Sequence, residues 1–268
     1  MTEPLFDRRA LSAHRHRAGG ATFLHEAAAQ EVSDRLLEIN KSFTDPLIVG
    51  DQTGLWAEQL GLKARRIPDT DVLDVTEGAH DLAIHALSLH WMEDPVGQLV
   101  QLRRALRPDG LMIAALFGGE TLTELRAAFG QAEIEVEGGL SPRVAPMGEL
   151  RDLGGLVQRA GLALPVADSM RLTVDYADPL ALMRDLRAMG ETNAMAARRK
   201  TVLKRATLGR ALELYTQNYA RADGRIEASF EIVFLTGWAP ADTQQQPLRP
   251  GSAKARLADA LKVPERKL

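Results

Sequence analysis

The stretch Asp81 to Gly119, DLAIHALSLHWMEDPVGQLVQLRRALRPDGLMIAALFGG, decides the fold. Behind Asp81, the apolar run Leu82 to Ser88 has the length and composition of a strand. After Asp94 and Pro95, residues Val96, Leu99, Val100, Leu102 and Leu106 recur at helical spacing. Arg107 to Gly110 has the composition of a tight turn. Leu111 to Phe117 then carries no polar residue, as expected of a strand covered on both faces of a parallel sheet. Strand, helix, strand in this order argues for a doubly wound, mostly parallel α/β domain.

Working outward, Pro4 to Asn40 reads as two helices interrupted near Gly19 and Gly20. Leu47 to Val49 is a short strand that meets Gly50 and Gly54 before the helix-like LWAEQL. Downstream, Thr121 and Glu124 have the spacing of a capping box that opens a helix through Phe129. Met147 to Ala160 is expected to be helical, and Leu164 to Tyr176 to be a strand broken near Asp168. Pro179 to about Ala220 is a helical insertion divided around Gly190 to Asn193. Ala228 to Gly237 is expected as a final antiparallel strand at the sheet edge. The expected organisation is an N-terminal helical lid over residues 1–40, the α/β domain over 41–239 with its helical insertion at about 179–220, and a flexible tail over 240–268, in which Ser252 caps a short helix through Leu261.

The chain has 268 residues, of which 45% are hydrophobic, enough for a substantial core. A net charge of −3 gives no electrostatic reason to expect nucleic acid or an anionic membrane as the main partner, so a small molecule or a protein is expected. The absence of cysteine excludes disulfides, thiolate nucleophiles and cysteine-ligated metals. His14 and His16 lie among arginines, and the chain has no HExxH pattern, so no metal site is expected. The first residues lack the apolar core of a secretory signal, and no apolar run is long enough to span a membrane, so a cytoplasmic protein is expected.

In a parallel sheet, ligands lie beyond the carboxyl ends of the strands. Three segments meet that description. Gly50-Asp51-Gln52-Thr53-Gly54 follows the first strand, and its glycines permit a tight turn and close approach of the backbone to a ligand. Ser88-Leu89-His90-Trp91 follows the second, with an imidazole and an indole able to line a cleft. Phe117-Gly118-Gly119-Glu120-Thr121 follows the third. Each has a competing structural reading as a turn, a core tryptophan or a loop.

Taken together, HDLAIHALSLHW, LRRALRPDGLMIAALFGGETLTELR, GGLSPRVAP and LRAMGETN resemble the methyltransferase-like family of mitochondrial complex I assembly factor 5. They resemble more distantly the malonyl-carrier-protein methyltransferases of biotin synthesis. The likeness covers roughly Phe6 to Trp238. It implies a class I S-adenosylmethionine-dependent, Rossmann-like fold and, for the assembly-factor branch, modification of an arginine of a complex I subunit by hydroxylation. Carried over by position, Gly50 and Gly54 are the ends of the cofactor loop, with Asp51 between them. Ser88 and Leu89 lie along the cofactor, and His90 and Trp91 point toward the acceptor. Arg15 and Arg17 belong to a helix that covers the pocket as a lid, a solvated helix face being the alternative. Glu191 and Asn193 fall in a signature that binds substrate or caps a helix break.

Two positions depart from the pattern: Gln52 stands where the loop has glycine, and Ile48 where an acid precedes it. Spacing departs as well. Residues 55–80 must hold the first helix and everything before Leu82, whereas a strand, helix, strand unit needs about thirty residues or more. The second-strand region is therefore expected to be truncated. Among Asp69, Asp71 and Asp74, the first choice for the carboxylate that binds the ribose hydroxyls is Asp74, in the frame VLDV, the competing reading being that this acidic stretch is only a solvated loop. Two functions follow: a modifying enzyme using S-adenosylmethionine on a protein or small acceptor, or a degenerate fold that serves as an assembly scaffold. The basic run Arg198 to Arg210 is either a solvated helix face or a dock for an acidic partner. A nucleotide-dependent dehydrogenase is disfavoured because the loop lacks GxGxxG.

Overall fold

The computed structural model describes residues 3–244 and residue 262. The expected tail helix at Ser252 to Leu261 lies outside the described residues. Helices α1 (Arg8–His16) and α2 (Phe23–Glu38) precede β1 (Pro46–Val49). There follow α3 (Leu55–Gln59), β2 (Arg65–Ile67), β3 (His80–His85), α4 (Pro95–Ala105), β4 (Leu106–Phe117), α5 (Thr123–Glu137) and α6 (Leu150–Arg159). The chain then forms β5 (Ala163–Tyr176), α7 (Pro179–Met189), α8 (Arg205–Tyr219) and β6 (Ile226–Trp238).

Six strands form one sheet in the order β2-β1-β3-β4-β6-β5. The first three contacts, β2 to β1, β1 to β3 and β3 to β4, are parallel, and β6 runs antiparallel to both β4 and β5. Successive residues along the central strands serve opposite layers, as the two-residue period demands. Ile48, Ile84, Ile113 and Ala115 pack with α2, α5 and α8, whereas Leu47, Val49, Ala83, Met112 and Ala114 pack with α4 and α6. This is the Rossmann-like, doubly wound arrangement of class I methyltransferases.

The truncation falls between β2 and β3. β2 has three residues at the sheet edge, and the return across β1 through residues 68–79 contains no helix. Helix α1 stands against that return instead, with Arg8 Nη2 donating to Asp71 Oδ1 at 2.7 Å.

Several local expectations are corrected. The strand expected over Leu82 to Ser88 ends at His85, because Leu87 turns the chain with φ of 47° and Leu89–Trp91 forms a single helical turn. Arg107 to Gly110 is not a separate turn but an irregular opening of β4, where Asp109 has φ of 62° and its N–H donates to the Ala239 carbonyl. The strand β6 is internal, and β5 forms the edge. The break in β5 lies between Ala163 and Val166 rather than at Asp168, which instead pairs with Arg35. No capping box forms at α5. Thr121 and Glu124 turn toward β6, bonding Glu231 and Ser229. The basic run is split between a loop and α8, and Arg198, Arg199, Lys204 and Arg210 are all ion-paired within the chain.

Candidate active site

The carboxyl ends of β1 and β3 open onto a polar cavity of about 230 Å³. It is lined by Gly50, Asp51, Ser88, Arg15, His25 and Glu191, among others. Gly50 has φ of 86°, and a Cβ there would lie 2.5 Å from Ser88 Oγ, so only glycine lets the loop approach the turn after β3. Leu87, also at the cavity, and Leu122, beside the neighbouring cavity described below, hold positive φ. Such backbone is costly for a bulky residue and tends to persist where surrounding structure overdetermines it.

Asp51 points inward. Its carboxylate accepts from the N–H groups of Gly54 (3.0 Å), Trp56 (3.3 Å) and Ala57 (3.1 Å) at the start of α3. It therefore satisfies the orphan donors of its own helix. Gly54 supports this cap from behind the loop, facing Arg66, and is not part of the cavity wall. Leu89 is fully buried under its helical turn.

A second cavity, of about 220 Å³, adjoins the first and is largely apolar, with Leu125, Phe129, Met147, Met183, Leu186 and Phe230 in its wall. Met189 and Glu191 line both cavities. Trp91 Nε1 donates to Glu191 Oε2 at 2.8 Å, and His90 Nε2 lies 3.3 Å from the same oxygen. Burial opposes the charged carboxylate, but the bond and charge of His90, the charge of Arg15 and the indole N–H together hold Glu191 below the usual carboxylate range. The His90 ring packs on Phe117 at 4.8 Å between centroids, and its buried Nδ1 has no partner among the described residues. A carboxylate kept ionised at the junction of a polar and an apolar cavity can attract and orient a cation.

The structure thus gathers His90, Trp91 and Glu191, although they are about a hundred positions apart in the chain. Asn193 lines the apolar cavity, but its side chain braces a loop, Nδ2 donating to the Pro142 carbonyl and Oδ1 accepting from Met195 N–H. Arg17 bonds back to the Ala13 carbonyl of its own helix.

Asp74 is corrected. Its side chain is 91% exposed and pairs with Arg65 on the outer surface. The carboxylate that follows β2 is Asp69, 5% exposed, and both its oxygens receive Arg15 Nη1, at 2.8 and 2.6 Å. The frame VLDV misleads because residues 72–75 form no strand. β2 itself reads RRI, and its two exposed arginines hide it from a hydropathy reading. The signal that could have found Asp69 is its place as the first acid after that strand.

Two histidines, His25 partly buried and His85 fully buried, also escaped the sequence reading. His25 Nδ1 accepts from Trp56 Nε1 at 3.0 Å, and burial lowers its pKa. His85, whose Nδ1 lies 3.2 Å from Ser88 Oγ, is lowered to about 4 by burial. Among the described residues no three His, Asp or Glu side chains are grouped to hold a metal ion, and no helix is long and apolar enough to cross a membrane.

The residues partly fit S-adenosylmethionine. The glycine loop and Ser88 suit a nucleoside with an amino-acid arm, and the buried carboxylate after β2, Asp69, lies just outside the polar cavity's wall against Arg15. On the other side, Asp51 caps its own helix, Asp69 is already paired, and the polar cavity is smaller than the roughly 300 Å³ at the low end of ligand pockets.

No protein-family model matches the chain. The mitochondrial arginine-hydroxylase NDUFAF5 of Danio rerio is 36% identical over 266 residues, with 90% of this chain and 83% of that protein covered. The malonyl-acyl-carrier-protein O-methyltransferase of Xylella fastidiosa is 36% identical over 172 residues, covering 64% of this chain and 56% of that protein. A methyltransferase-type structure from Bacillus halodurans superposes with a TM-score of 0.50 at 12% identity, over 81% of this chain and 99% of that one, a likeness of fold alone. More than a third of the aligned positions are shared with the Danio rerio protein over most of both lengths, and the chain belongs to the arginine-hydroxylase NDUFAF5 family.

Proposed function

We propose that the chain is an S-adenosylmethionine-dependent modifying enzyme whose polar cavity takes the cofactor and whose apolar cavity admits a side chain of a protein acceptor. The observation that carries this reading is Glu191, an ionised carboxylate in the wall shared by the two cavities. Gly50 and Ser88 are assigned to the cofactor, with Asp69 in place of Asp74 for the ribose hydroxyls. Asp51, Gly54 and Leu89 shape the loop and turn that would hold it. When bound, the cofactor supplies an electrophilic sulfonium centre.

The chain's own residues do the rest. Trp91 and Phe117 exclude water from the junction. His90 and Trp91 fix the Glu191 carboxylate, which draws in and orients a cationic acceptor group. Asn193 keeps the loop carrying Glu191 in place. The name of the relatives points to an arginine, and the resemblance points to a complex I subunit met during assembly.

Calorimetry with S-adenosylmethionine and S-adenosylhomocysteine tests the cofactor, and absence of heat at millimolar ligand with both refutes it. With the acceptor in hand, Glu191→Gln should keep nucleoside binding and slow modification by about 100-fold, as expected when the charge that orients the acceptor is lost. The mass gained by the acceptor distinguishes a methyl group from an oxygen atom. The second reading is a cofactor-free assembly factor. It draws support from the internal pairing of Asp51 and Asp69 and predicts partner capture without nucleoside binding.

A further inference from the structure

Asp69 sits where an acid after a parallel strand accepts the two hydroxyls of a ribose, and such recognition needs free carboxylate lone pairs. Here Arg15 Nη1 contacts both oxygens, at 2.8 and 2.6 Å, and the two side chains are only 17% and 5% exposed. Arg15 is also part of the polar cavity's wall. An arginine so placed takes up space in the cavity as well as hydrogen-bonding capacity at Asp69.

The placement is built into the fold. Arg15 lies in the last turn of α1, and the chain leaves that helix through Gly19, whose N–H donates to the Ala188 carbonyl at 2.8 Å, and Gly20, with φ of 87°. A Cβ on Gly190 would lie 3.1 Å from Arg15 Cα, so α1 packs directly on the backbone preceding Glu191.

We propose that Arg15 is an internal competitor for the ribose hydroxyls: it occupies Asp69 in the empty protein, and a nucleoside binds only by displacing it. This inference rests on the nucleoside-binding reading of the polar cavity. It makes the measured affinity the product of an intrinsic affinity and the fraction of molecules in which Asp69 is free.

The test compares wild type with Arg15→Met by calorimetry, using S-adenosylhomocysteine, adenosine and 2′,3′-dideoxyadenosine as probes. Arg15→Met should bind the first two at least about tenfold more tightly than wild type, equivalent to about 1.4 kcal/mol. The dideoxy compound, which has no hydroxyls for Asp69, should show no such gain. Adding Asp69→Asn to Arg15→Met should erase the gain. Equal or weaker binding of S-adenosylhomocysteine by Arg15→Met overturns the proposal, and so does an equal gain for the dideoxy compound. If circular dichroism shows that Arg15→Met is unfolded, Arg15→Gln keeps a donor without the charge and should give the same order of affinities. Should wild type bind while neither variant binds more tightly, only this inference falls. Should no form bind any probe, the nucleoside reading falls with it.

Discussion

At the scale of single residues, the site is made by groups that have little freedom. Gly50 is held between Ser88 and the end of β1, and its positive φ adds to the steric demand. Gly50→Ala should therefore cost about 1 to 3 kcal/mol of stability and abolish nucleoside binding. Thermal denaturation with and without S-adenosylhomocysteine checks both, and an unchanged ligand-induced shift would place the ligand elsewhere. His85 is a second rigid point. It is completely buried, and its pKa of about 4 lies below the ordinary 6.5, so the unfolded chain binds more protons between those values. Stability should be flat above about pH 6.5, fall as pH drops through the window and level off below about pH 4, with a loss of roughly 3 kcal/mol from this residue. His25, lowered by burial as well, adds slope of the same sign. Urea denaturation across that range should be less steep in pH for His85→Asn, and an unaltered profile would show that His85 does not titrate on unfolding.

At the scale of elements, legibility follows from where the deciding interactions lie. Leu111 to Phe117 announces itself because a strand covered on both faces has no polar position. Val96 to Ala105 is legible because its apolar face keeps helical spacing and Asp94 caps it locally, through Gly97 N–H at 2.8 Å. The start of α5 is illegible for the opposite reason. Spacing alone cannot reveal that a neighbouring strand outcompetes the helix for Thr121, whose Oγ donates to the Glu231 carbonyl and accepts from the Glu231 N–H, at 3.1 and 3.0 Å. Half of the site shares that fate: the Gly50 loop and the Ser88 turn are visible as strand ends, but nothing local ties Glu191 to His90 or Asp69 to Arg15. Thr121→Val keeps the shape and strands a buried N–H, so it should destabilise the protein by about 1 to 3 kcal/mol in chemical denaturation. A loss within experimental error would mean that Thr121 is locally solvated and that α5 is anchored by Glu124 and Ser229 alone.

At the scale of the whole molecule, the shortened crossover makes the sheet asymmetric. β1, β3, β4 and β6 are flanked by strands on both sides and contribute to the two packed layers, whereas β2 offers three residues, two of them exposed, with a helix-free return behind it. Local opening requires little loss of apolar contact at β2 and nearly all of it at the centre. Native-state hydrogen exchange should accordingly find the amides of Ile84, Ile113 and Phe234 exchanging only with global unfolding. That of Ile67 should exchange at least about 100-fold faster through local opening. Because Asp69 follows β2 directly, a nucleoside that binds there spends part of its affinity ordering the weakest edge of the sheet, and its binding should slow exchange at Ile67 far more than at Ile84. Exchange at Ile67 as slow as at Ile84 in the free protein would show that α1, clamped across the return by Arg8 and Arg15, already holds this edge as firmly as the missing helix would have done.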